Sequence, residues 1–193
     1  MVGSGSSAPA LLLVASLIVG TPSVARALEV IELNVRHTGA SFEIDFAALL
    51  DAPVEAVERV VRDYDAYDTL DGRIRNVRVI DRPAPNVAIV HTQIRACAGI
   101  FCRTVDRTER IEERRHELLA VILPQHSDLR GGVTRTILAG EGERTRLIYH
   151  SHFEPDFWVP RWLGRGIASR SLASATRSLF ESVEQRSRET AVR

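Results

Sequence analysis

Hydrophobic and polar positions alternate along two N-terminal stretches, "EVIELNVRHTG" (29–39) and "SFEIDFAALL" (41–50). Period-two alternation marks strands with one buried face, and in the second stretch Phe42, Ile44 and Phe46 share that face. At "DAPVEAVERVVRDYDAY" the period changes: Val54, Val57, Val60 and Val61 recur at helical spacing, with Asp51 placed to cap and Pro53 in the first turn. A Tyr- and Asp-rich segment follows and ends near Gly72.

From Arg73 to Pro155 the pattern returns to strands. "IRNVRVID" alternates around Ile74 and Val79, "NVAIVHTQIRAC" and "CRTVDRTERIEE" flank a short cysteine loop, and "ELLAVILP" precedes the loop "QHSDLRGG". "VTRTILA" and "TRLIYHSHFE" are joined by "GEGER", whose glycines suit a turn that needs positive φ. The last segment, "WVPRWLGRGIASRSLASATRSLFESVEQRSRET", predicts a long helix with Leu163, Ile167, Leu172, Ala175, Leu179 and Val183 on one stripe. Two strands, a short helix, five or six antiparallel strands and a terminal helix make an α+β domain with the helices gathered on one side of a sheet.

The first 27 residues do not belong to that pattern. "ALLLVASLIVG" (10–20) is apolar but too short for a bilayer span, which needs about 20 residues. It is followed by Pro22 and by Ala25-Arg26-Ala27, a small-x-small cleavage pattern. Residues 1–27 are therefore expected to be a signal peptide, although the segment before the apolar run has no Lys or Arg, and residues 28–193 a single domain. The expected location is periplasmic or secreted. The 25 basic residues, all arginine, balance 25 acidic ones, which argues against the clustered positive face of a nucleic-acid binder.

An exported chain changes what two cysteines mean. Cys97 and Cys102 are expected to form one disulfide, since a zinc site would need further ligands and usually tighter spacing. Between them lie Ala98, Gly99, Ile100 and Phe101, an apolar tip where a hairpin connection ordinarily carries polar turn residues.

The order of elements, with "SFEIDFAALLDAPVEAVERVVRDYDAY" leading in and a long terminal helix closing the chain, resembles the SRPBCC superfamily. This is the helix-grip fold shared by START lipid-transfer domains, pollen-allergen-like proteins, aromatic polyketide cyclases and ubiquinone-binding proteins. "CAGIFCRTV", "LPQHSDLRGG" and "EPDFWVPRWLG" resemble an exported bacterial branch of it. The resemblance implies a curved antiparallel sheet wrapped around the C-terminal helix, short helices between the early strands, and an apolar ligand tunnel. The small residues Ala168, Ser169, Ser171, Ala173, Ser174, Ala175 and Ser178 in the middle of the last helix either leave that volume open or allow close approach to the sheet.

Recognisable catalysis is scarce. His126, Ser127 and Asp128 are sequence neighbours that diverge and cannot form a relay. His150 and His152 share a strand face, a spacing that can seat a metal, but no third ligand is evident in the sequence and they read as a solvated face. The acids Asp63, Asp65, Asp68 and Asp71 miss the spacing of a calcium loop. The candidates for ligand contact are Tyr64 and Tyr67, which either line a tunnel mouth or pack ordinarily, the polar residues His91, Arg95, Asp128, Arg130 and Tyr149, and Trp158 and Trp162. Ile100, Phe101 and Phe157 are candidates for a gate or a membrane contact, since aromatic rings near arginines suit a lipid interface. No catalytic residue, metal or cofactor is assigned. The expected function is a carrier of a lipid or other hydrophobic small molecule, with a transient membrane contact as an option. A cyclase- or dehydratase-type enzyme acting on a polyketide-like substrate is the alternative.

Overall fold

A computed structural model of the protein describes residues 28–98, 100–158 and 164–192. The leader expected at 1–27, and Trp162, lie outside the described residues.

Strands β1 (Glu29–Thr38) and β2 (Ser41–Leu50) form the leading hairpin, and Gly39 at its turn has φ +63°. Helix α1 (Val54–Arg62), a 3-10 turn (Tyr64–Ala66) and the short α2 (Tyr67–Leu70) follow. Then come β3 (Ile74–Ala84), β4 (Val87–Ala98), β5 (Phe101–Arg114), β6 (Glu117–Ile122), β7 (Leu129–Glu141), β8 (Arg144–Pro155) and the long α3 (Gly164–Ala191). The "GEGER" turn places Gly142 at φ +64°, as a tight antiparallel connection requires. Asp51 does not cap α1. Pro53 occupies the cap position, its carbonyl accepting from Ala56 and Val57 at 3.0 and 3.1 Å, while the Asp51 N–H donates to Glu184 of α3 at 3.0 Å.

All eight strands lie in one antiparallel sheet of order β1-β2-β8-β7-β6-β5-β4-β3. Helix α3 touches β1 and β2 near one edge and β4 near the other, so the sheet must curve around it. The alternation of β2 buries Phe42, Ile44, Phe46, Ala48 and Leu50 completely or nearly so. Helix α3 answers with Phe180 and Val183. The Phe180 ring stacks on Phe46 with centroids 4.8 Å apart and meets Tyr149 edge-on at 5.2 Å. Helix α1 closes the same end with Ala56, Val57, Val60 and Val61.

The core is nonetheless divided. The main cluster gathers Phe46, Leu50, Val57, Tyr64, Val90, Ile111, Leu147 and Phe180. A second, smaller one holds Val105, Ile122 and Leu129 with Phe153 and Phe157 packed on it. What separates them on the concave face of the sheet is polar.

Candidate functional site

The division is clearest along β5. Side chains of a strand alternate between faces, so Val105, Arg107, Glu109 and Ile111 all point inward. Val105 belongs to the smaller cluster and Ile111 to the larger, with two ionisable groups between them. Arg107 Nη2 lies 2.5 Å from Glu109 Oε2.

The register brings further polar groups to the same face. Thr92 of β4 stands directly opposite Arg107. Across the sheet, Thr134 of β7 is opposite Ser151 of β8, their hydroxyls 2.9 Å apart, and Thr136 is opposite Tyr149. Tyr67 enters from α2, its hydroxyl donating to the Val61 carbonyl at 2.5 Å.

Arg107 and Tyr67 lie deep inside the fold, yet the Arg107 side chain keeps 27% of its surface accessible and Tyr67 and Tyr149 are only half-buried. Deep groups that retain accessible surface are not fully packed over. The pair also has unused hydrogen-bonding capacity: Arg107 Nε and Glu109 Oε1 are buried without a partner, and Glu109 is 7% accessible at its side chain. Unpartnered buried atoms of this kind call for water or a ligand group.

The electrostatics hold these groups in defined states. Burial opposes the charge on Arg107, but the neighbouring Glu109 carboxylate and the Tyr149 and Tyr67 hydroxyls outweigh it and raise its pKa. Burial, reinforced by Glu109, pushes the Tyr67 phenol well above its usual range, so Tyr67 keeps its proton and acts as a hydrogen-bonding group. The arrangement can therefore offer cationic donors, one carboxylate and tyrosine hydroxyls to the polar part of an otherwise apolar molecule.

Of the residues expected from sequence, Tyr67 and Tyr149 are placed at this interior. Tyr64 is fully buried in the main cluster, its hydroxyl donating to Glu113 at 3.0 Å. His91 and Arg95 are on the opposite, convex face of β4. His91 Nδ1 is 3.0 Å from Thr108 Oγ1 and its Nε2 is 3.3 Å from Asp106, and Arg95 is exposed. Asp128 fastens the β6–β7 loop to β5 by accepting the Asp106 N–H at 3.1 Å, and Arg103 lies 3.8 Å away. Arg130 is on the surface with Asp156 at 2.7 Å and Glu154 at 3.1 Å. Strand parity turns Tyr149 inward and His91 and Arg95 outward. The same parity rule applied to "CRTVDRTERIEE" places Arg107 and Glu109 with Val105 and Ile111; that is the signal by which they could have been found.

The cysteines do pair: Cys97 faces Cys102 directly across the β4–β5 ladder, Cα atoms 4.0 Å apart, in a disulfide. Beyond it the tip exposes Ile100 (92%) and Phe101 (43%). Arg103, two residues on, covers the ring of Phe157 at 4.4 Å, which brings the exposed Trp158 (75%) to the same end of the fold. Phe157 itself is packed on the smaller cluster and is not a free gate. A surface concavity of about 250 Å3 between α1 and the last turns of α3, lined by Arg59, Leu70 and Arg186 among others, includes none of Tyr67, Arg107, Glu109 and Tyr149.

No family model and no curated protein matches the chain, whereas solved structures of the same fold do. A START superfamily protein from Mycobacterium smegmatis is 14% identical with a TM-score of 0.62, the alignment covering 76% of this chain and 97% of that one. A STAR-related lipid transfer protein from Xanthomonas axonopodis is 13% identical, TM-score 0.58, covering 81% and 98%. The Zhui aromatase/cyclase from Streptomyces sp. R1128 is 15% identical, TM-score 0.57, covering 74% and 93%. At these identities the likeness is one of fold: the chain has the START-like helix-grip architecture.

Proposed function

We propose that the protein is a carrier that holds a lipid or other hydrophobic small molecule beneath α3, with the polar part of that molecule at Arg107 and Glu109. The observation that carries the reading is the partly unpartnered pair set between two apolar clusters. An apolar body matches the clusters, and a hydroxyl, carbonyl or acidic group supplies the missing partners. The fold supports it, since neighbours of the same architecture include a lipid transfer protein. The exposed Ile100, Phe101 and Trp158, with Arg95 and Arg103 nearby, form the end that would meet a membrane during loading. The leader and the disulfide support a periplasmic or secreted location.

Native mass spectrometry of gently purified protein, and of protein incubated with bacterial lipid extract, tests the reading. A retained ligand is expected, with Arg107→Leu altering which molecules are kept. A protein that is reproducibly empty and takes up nothing overturns it.

A cyclase-type enzyme is the second reading, favoured by the convergence of Tyr67 and Tyr149 on the charged pair and by the aromatase/cyclase among the structural neighbours. Tyr67 holds its proton too firmly to serve as a base, which leaves Glu109 as the proton acceptor of such a reaction. Unchanged product profiles with Glu109→Gln in cells supplied with a polyketide substrate would exclude it.

A further inference from the structure

The convex face carries a second cluster that has no part in the interior. On β2 and β8, Asp45 is directly opposite His150 and Glu43 directly opposite His152. Two acids and two of the chain's six histidines thus occupy two adjacent rungs of one face, two residues apart on each strand. His150 Nδ1 is 2.6 Å from Asp45 Oδ1, its Nε2 is 3.8 Å from Glu43 Oε1, and one ligand atom each from Glu43, Asp45 and His150 lie within 4.8 Å of one another.

We infer that Glu43, Asp45 and His150, with His152 as the adjacent fourth donor, form a binding site for a divalent transition metal, zinc(II) by its donor set. Imidazole nitrogen with carboxylate oxygen suits zinc better than the hard cations magnesium and calcium. Metal–ligand bonds of about 2.0–2.2 Å set donors roughly 3.3 Å apart around a tetrahedral ion. The three donors therefore need only side-chain rotations to close, because paired strands already hold their Cα atoms in place. The present occupant of the acids is Arg36 of β1, whose Nη2 lies 2.7 Å from Asp45 and 3.0 Å from Glu43. Half-exposed ion pairs of this kind add little to stability, so a metal displaces the guanidinium at little cost. Arg36 is the counter-charge to the two acids; bound zinc would take over that role while the arginine turns out to solvent.

The test is isothermal titration of the tag-free protein with zinc(II), against His150→Ala, Asp45→Asn and Arg36→Ala. One zinc per chain is expected, weakened by about tenfold or more in the first two variants and unchanged or tighter in Arg36→Ala. No binding by the parent protein overturns the site, as does binding that survives both His150→Ala and Asp45→Asn or that is lost in Arg36→Ala. All three positions are solvent-facing, and circular dichroism confirms that each variant remains folded.

Discussion

Arg107 and Glu109 sit two residues apart on one strand and pair at 2.5 Å inside the fold, with apolar clusters on both sides. Glu109→Leu leaves a cation in the interior without its counterion and is expected to cost roughly 2–3 kcal/mol, below the range for fully enclosed pairs because Arg107 keeps accessible surface. The double variant Arg107→Leu/Glu109→Leu should recover most of that loss, since replacing a whole interior pair by apolar groups is often neutral. Urea denaturation of both variants checks this; equal destabilisation of the single and the double would show that the pair is not energetically linked.

Phe180 joins the terminal helix to the sheet through Phe46 and Tyr149. Phe180→Ala removes the ring from the centre of the main cluster and is expected to lower stability by about 3–5 kcal/mol. A loss under about 1 kcal/mol in chemical denaturation would mean that the helix is held elsewhere.

Gly132 of β7 lies where a Cβ would meet the His152 carbonyl and stand 2.6 Å from Ile122 Cδ1. The carbonyl belongs to the backbone of a paired strand and cannot move alone. Gly132→Ala should therefore destabilise by about 1–3 kcal/mol, seen as a lower Tm, and Gly131→Ala, with open space at its Cβ, should do so much less.

Glu184 is buried on α3, accepting the Asp51 N–H at 3.0 Å, with Arg188 3.4 Å from its other oxygen. Burial pushes its carboxyl above the ordinary value of 4.5. The folded protein thus holds this proton more tightly than the unfolded chain, and the stability this confers is present below the ordinary value and lost as pH rises through the raised one. Tm of the parent protein relative to Glu184→Gln should accordingly fall as pH rises from below the ordinary carboxylate value through the raised one. A constant or rising difference would contradict the shift.

The Cys97–Cys102 disulfide closes a short loop, so reduction should cost only about 2 kcal/mol in the loop-entropy picture and leave the fold intact. Ile100→Ser/Phe101→Ser should change thermal stability little while lowering binding to vesicles of anionic phospholipid. Unaltered vesicle binding with a collapsed Tm would make the tip part of the core.

The sequence by itself determined the order of elements, the α+β class and the disulfide, because strand alternation, helical spacing and turn glycines are local signals. It also contained the inward direction of Arg107 and Glu109, as strand parity is a property of β5 alone. Only the tertiary structure decided what those groups meet. Tyr67 arrives from α2 and Tyr149 from β8, and no local pattern says that they converge on β5. The same holds for the convex face, where His150 and His152 lack further ligands until pairing with β2 sets Asp45 and Glu43 opposite them. Residues more than a hundred positions apart become neighbours through backbone hydrogen bonds that any sequence of suitable parity can make, so which side chains share a rung is settled by register rather than by spacing.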